Sequence, residues 1–132
     1  MKLSRNMGFT LIELLVVIAI IALLMAYALP NYRQYVIESK RTDAHSRLLE
    51  IANMYEKFYT NNNAYPANLA ALGISPTFFI TEDYQITVAA AGGGWTLTAT
   101  AINGQVEDTA CPAITFNNLG QKGPANSECW ND

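Results

Sequence analysis

The stretch that decides the fold is Gly8-Phe9-Thr10-Leu11-Ile12-Glu13-Leu14-Leu15-Val16-Val17-Ile18-Ala19-Ile20-Ile21-Ala22-Leu23-Leu24-Met25-Ala26-Tyr27-Ala28-Leu29-Pro30. From Phe9 to Leu29 it is twenty-one residues. As an α-helix it is about 31 Å long, close to the thickness of a bilayer's hydrocarbon core. Its last sixteen residues before Pro30, Leu14 to Leu29, carry no charge, and Tyr27 is the most polar of them. Upstream, Met1 to Gly8 holds Lys2 and Arg5 and no apolar run, as the basic start of a signal does. A secretory signal would put its small-residue cleavage site after the apolar region. Here the small residue, Gly8, stands before it, so a cut behind Gly8 leaves the hydrophobic helix on the mature chain.

Glu13 does not fit a plain anchor. A carboxylate at the centre of a bilayer costs about 2.5–3.5 kcal/mol, and such residues are functional candidates by default. Two readings stand: the side chain reaches the headgroup region from the helix end, or it has a cationic partner. Cleavage behind Gly8 would create such a partner, a free α-amino group on Phe9, four residues before Glu13. Amine and carboxylate could meet within one chain, or between parallel helices offset by about a turn. Because leaving one of them unpaired in an apolar setting is strongly unfavourable, the pair would check docking register.

The 132 residues, 51% of them hydrophobic, hold one domain plus this appended segment. The formal charge of −3 is unevenly spread. Residues 33 to 57 hold five basic against four acidic side chains, whereas beyond Phe58 Lys122 is the only cation against six acids. Such a surface repels polyphosphate, so direct nucleic-acid binding is not expected. Cys111 and Cys129 are the only cysteines. In an exported domain such a pair forms a disulfide; in a cytosolic one it stays reduced or binds metal. No cluster of His, Cys or carboxylate near them supplies four zinc ligands. A basic leader on the cytoplasmic side places both cysteines on the oxidising side.

Past Pro30, Ala44, Leu48, Ile51, Tyr55 and Phe58 recur every three or four residues and predict an amphipathic helix over residues 31–60. Lys40, Asp43, Arg47, Glu50 and Lys57 would form its solvated face, and His45 is expected there as an ordinary surface histidine. Thr60-Asn61-Asn62-Asn63 ends the helix. Tyr84, Ile86 and Val88 alternate with polar residues, as do Trp95, Leu97, Ala99 and Ala101, with Gly92-Gly93-Gly94 as the turn between them. Asn103-Gly104 closes the second strand, and Ile114 and Phe116 mark a third. A small antiparallel sheet laid on the amphipathic helix gives an α+β architecture.

No catalytic motif or cofactor motif is present. The triple glycine lacks the strand-before, helix-after setting of a phosphate loop. Glu82-Asp83 and Glu107-Asp108 lack the further oxygen ligands of a calcium site. Neither an enzyme, a cofactor nor a metal is expected, and Trp130 is expected to pack over the cysteine pair.

Gly8-Phe9-Thr10-Leu11-Ile12-Glu13-Leu14, between a short basic leader and a long apolar run, resembles the class III signal of type IV pilins and pseudopilins. The resemblance extends to Tyr65-Pro66 with Leu69, Leu72 and Gly73. It also covers the stretch from Ile114 through Gly120-Gln121-Lys122-Gly123-Pro124 to Cys129-Trp130, which is similar to the end of short minor pilins of the PilE kind. It implies the type IV pilin fold, with a leader at 1–8, a transmembrane and polymerisation helix at 9–30 and a head at 31–132. It implies cleavage between Gly8 and Phe9 by prepilin peptidase, N-methylation of Phe9, assembly through Glu13, a helix kink at Pro30, and a loop bounded by a Cys111–Cys129 disulfide. The implied partners are other pilin subunits, the peptidase and methyltransferase, the assembly platform, and the inner membrane before assembly. The head would be periplasmic and then extracellular on the pilus, in twitching motility, adhesion or DNA uptake. Alternatives are a type II secretion pseudopilin, or a pilus-displayed adhesin or DNA-binding subunit.

Overall fold

The computed structural model describes residues 7–125 and 127–130. Lys2, Arg5 and the rest of positions 1–6, like Asp132, lie outside the described residues. Leu11–Asn62 is one helix, α1, with Pro30 inside it. The chain divides into two units, Met1–Val36 and Ile37–Asp132.

In the first unit, α1 starts on a cap made by its own side chains. The Thr10 hydroxyl accepts the Glu13 N–H at 3.3 Å, and the Glu13 carboxylate reaches back to the Thr10 N–H at 2.8 Å. This reciprocal arrangement satisfies two of the donors that a helix start leaves unpaired. Leu, Ile, Ala and Met then supply helix-compatible side chains, and every residue from Met7 to Tyr35 is exposed within the chain. The most apolar eighteen-residue window has a mean hydropathy of 2.8, so by length and composition the helix can cross a membrane.

In the second unit, the periodic stripe of α1 is the core face: Ala44, Leu48, Ile51, Ala52 and Tyr55 are buried. Against it lies a four-stranded antiparallel meander. Its strands are β1 (Tyr84–Ala91), β2 (Gly94–Ala101), β3 (Ala113–Asn117) and β4 (Lys122–Gly123). Alternation sends Tyr84, Ile86, Trp95, Leu97, Ala99 and Ile114 into the core, as expected for a sheet with one covered face. Gly92 and Gly93, with φ of 60° and 79°, form the two-residue turn between β1 and β2, a conformation that matches strand twist and needs positive φ at both positions. α1 ends where Asn63 turns left-handed, at φ 59°. Asn103-Gly104 does more than close β2, since it opens a short 3₁₀ turn, Asn103–Glu107. β4 adds a fourth strand to the three expected; two residues with Pro124 next to them carry no periodic signal.

Candidate functional site

Two groups of residues carry the chemistry, one in each unit. In the first unit, Gly8 and Phe9 precede the helix in exposed chain that belongs to neither helix nor strand, and Phe9 is 85% exposed. Glu13 is the one acid of the first helical turn, and its carboxylate takes both the N–H and the hydroxyl of Thr10, at 2.8 and 2.9 Å. Phe9, Ile12, Val16 and Val17 stand around it. The carboxylate is therefore hydrogen-bonded within its own chain and bordered by apolar surface.

In the second unit the C-terminal loop is cross-linked and then tied to α1. Cys111 and Cys129 form a disulfide with Cα atoms 5.6 Å apart. Arg41 binds both ends of the loop that this bond closes. Its Nε and Nη2 donate to Asp108 at 3.0 and 2.8 Å, and its Nη1 donates to the Glu128 carbonyl at 2.7 Å. Asp108 also accepts the Cys111 N–H at 3.2 Å. Both charged side chains are almost fully buried, at 4% and 3% exposure. One turn further along α1, the His45 Nε2–H donates to the Cys129 carbonyl at 2.6 Å, and its ring stacks on Trp130 at 4.4 Å.

His45 is thus not a surface histidine: its ring is the bridge between helix and disulfide. The signal for this was present, because Arg41, His45, Leu48, Ala52 and Tyr55 advance by alternate fours and threes, which puts Arg41 and His45 on the buried stripe. Arg47, expected on the solvated face, is half-buried and donates to the Phe78 carbonyl at 3.0 Å as well as to Asp43. Gln105 was not singled out by the sequence; it is buried and donates to the Tyr84 hydroxyl at 2.9 Å and to the Ile37 carbonyl at 3.1 Å. Trp130 packs by the disulfide loop as expected, with its indole N–H on the Gly123 carbonyl and Lys122 over its ring.

One acid of each sequence pair sits in an ion pair. Asp83 pairs with Lys40 at 2.6 Å, a hydrogen bond that pushes the lysine's pKa up, and Asp108 pairs with Arg41. Among the described residues no group of three or more His, Cys, Asp or Glu is placed to hold a metal. Burial pushes the Tyr55 and Tyr84 hydroxyls above the usual phenol range.

Residues 30–115 match the family described as type IV minor pilin ComP, DNA uptake sequence receptor, and residues 4–29 match the prokaryotic N-terminal methylation motif. The chain is similar to the fimbrial protein EcpC of Eikenella corrodens, 36% identical over 119 residues, covering 90% of this chain and 75% of that one. It is also similar to the type IV major pilin PilA of Myxococcus xanthus, 34% identical over 65% of this chain and 39% of the relative. A type IV major pilin PilE1 of Neisseria gonorrhoeae is 36% identical, over 65% of this chain and 40% of its own length. The chain thus spans about two fifths of the length of those two relatives. A solved type IV pilin from Shewanella oneidensis shares the fold, with a TM-score of 0.57 at 23% identity over 68% of this chain and 93% of that one.

Proposed function

The chain belongs to the type IV pilin family and is a structural subunit of a pilus, and we propose that it is a minor subunit, matured at its N-terminus and then drawn from the inner membrane into the filament. One observation carries this reading: an apolar helix exposed along its whole length bears a single acid at its first turn. Exposed apolar surface of that extent needs a covering, first by lipid and afterwards by the helices of other subunits. Prepilin peptidase would cut between Gly8 and Phe9, in the exposed segment before the helix, and the new Phe9 amine would be methylated. Glu13 would then take a neighbouring subunit's amine as its partner. Pro30 lacks the N–H that would bond to the Ala26 carbonyl, and it marks where α1 bends or loosens on packing. The head would face the periplasm and then the outside, where an oxidising environment keeps Cys111 and Cys129 joined.

Mass spectrometry of sheared filaments tests this. The expected species lacks Met1 to Gly8 and carries a methyl group on Phe9; an intact precursor in mature filaments would sink the reading. Glu13→Ala should leave membrane insertion intact and lower incorporation into filaments severalfold. Normal incorporation of that variant would rule out the pairing.

A second reading is a DNA receptor displayed on the pilus, favoured by the description of the family that residues 30–115 match. The head's charges weigh against it, since Lys40, Arg41 and Arg47 each sit in an ion pair with an acid of the chain. Phosphate binding would have to break such pairs or rely on few cations. A gel shift with the full chain in detergent, at two salt concentrations, decides between the readings: a steep loss of a shifted band with salt would establish the receptor.

A further inference from the structure

The two edges of the sheet differ in kind. β4 is two residues long, carries Lys122 and runs into Pro124, all features that keep an edge from accepting another strand. β1 is eight residues long, has neither charge nor proline, and pairs with β2 residue for residue without a bulge. The Ala101 N–H bonds to the Pro112 carbonyl on the far side of β2, so Tyr84, opposite Ala101, is in a non-hydrogen-bonded pair. Alternation then turns the N–H and C=O of Tyr84, Ile86, Val88 and Ala90 away from the sheet.

The chain covers the first part of this edge itself. The Thr81 N–H donates to the Tyr84 carbonyl at 2.9 Å, the Tyr84 N–H donates to the Thr81 hydroxyl at 3.0 Å, and Ile80 bridges Gln85. Beyond that point, none of the described residues bonds to the outward groups of Val88 and Ala90, and Ala89 to Ala91 are exposed. At the end of the same edge a cavity of about 480 Å³ opens between Tyr59, Tyr65 and Pro66 on one wall and the Ala90–Gly94 turn on the other. The two tyrosine rings lie 4.6 Å apart. Tyr65 is held by its hydroxyl's bond to Glu56 at 3.0 Å, and the Trp95 N–H fixes the same carboxylate oxygen at 3.3 Å. No residue that lines the cavity is charged.

We propose that this edge accepts an extended, uncharged peptide segment of another protein as a fifth strand, with an aromatic or aliphatic side chain of that segment seated against Tyr59 and Tyr65. Main-chain bonds to Val88 and Ala90 supply affinity for any such segment, and the cavity supplies selectivity. A charged segment would lose water at the uncharged cavity with nothing to pair with. A second copy of β1 fits poorly. Antiparallel self-pairing around Ala89 would put Gln85 or the buried Ile86 at the cavity, and Ile80 already covers the strand's start.

The test uses the full chain in detergent micelles. The probe is an acetylated, amidated nine-residue peptide of alternating Val and Thr with one central Tyr. At saturating probe, exchange of the Val88 and Ala90 amides should slow by about tenfold or more, while Thr87 and Ala89, already bonded to β2, change little. Ala90→Pro removes an N–H that the fold does not use, so it should keep the melting temperature and abolish binding. A probe N-methylated on two successive central residues has neither edge whole and should not bind the unaltered chain, a check that leaves the protein untouched. Unchanged exchange at both amides, or equal binding of the N-methylated probe, overturns the proposal. So does a dimer that protects Val88 and Ala90 without any probe.

Discussion

Arg41→Ala should destabilise the head by more than loss of the disulfide does. Arg41 and Asp108 are both buried, and they hold each other through contacts of 2.8 to 3.0 Å. Removing one member of such a pair leaves a buried charge without compensation, at a cost of about 3–5 kcal/mol. Arg41→Ala also strips the Glu128 carbonyl of its donor and, among the described residues, leaves Asp108 with only the Cys111 N–H. A domain of this size has a total stability of about 5–15 kcal/mol, and each kcal/mol moves its melting point by about 4–8 °C. The variant should therefore melt about 12 °C lower, or further. Arg41→Met combined with Asp108→Leu removes both charges, so its loss should fall short of the sum of the single losses by at least about 2 kcal/mol. Trp95 and Trp130 both lie in the head's core, and their fluorescence during urea unfolding of the full chain reports Arg41→Ala, the two single variants Arg41→Met and Asp108→Leu, and their combination. A loss under about 1 kcal/mol for Arg41→Ala, or strict additivity in the double variant, would refute the idea that this pair ties the loop to α1.

Other outcomes follow from the same contacts. Reduction of the Cys111–Cys129 bond, which spans 18 residues, should lower the head's stability by about 3 kcal/mol on the chain-entropy model. The head should still fold, because Arg41 and His45 continue to hold the loop, and tryptophan fluorescence in reductant with and without urea checks this. Tyr55 and Tyr84 are pushed above the usual phenol range by burial. Above about pH 10 the folded chain therefore holds more protons than the unfolded one, and stability, fully present below that pH, falls as pH rises through the raised values. Phenolate absorbance should accordingly show one class of tyrosine that ionises only as the fluorescence signals unfolding. Gly73 is left-handed at φ 71°, so Gly73→Ala should cost about 1 kcal/mol although nothing crowds its Cβ position, and a shift of a few degrees in melting temperature measures it.

The elements with a strong period were legible. The stripe from Ala44 to Tyr55 and the alternation in β1 and β2 each announced a buried face, the apolar run announced a helix whose surface stays exposed within the chain, and the glycine triplet announced its turn. What escaped was polar chemistry placed on apolar positions. Hydropathy assigns Arg41 and His45 to solvent, and only their register on the stripe contradicts that. Their burial depends on partners 67 and 84 residues away, and no local pattern encodes such a pairing. β4 escaped for a related reason: a two-residue strand exists because β3 offers it a ladder.

The cap at the start of α1 sharpens the part that Glu13 can play. A carboxylate in a bilayer is costly when it is isolated, but here the Thr10 N–H and hydroxyl both donate to it. The acid is therefore already satisfied within its own chain, so the proposed storage in the membrane would not demand a partner. On the assembly proposed above, an incoming amine would have to compete with these two bonds, and a full positive charge inside an apolar surround would outweigh neutral donors. That amine would exist only after the proposed cut of the Gly8–Phe9 bond. Under that proposal an unprocessed chain would keep its acid bonded to Thr10, while a processed one would bring the group that displaces Thr10. The acid would then discriminate matured from unmatured subunits through the identity of its partner.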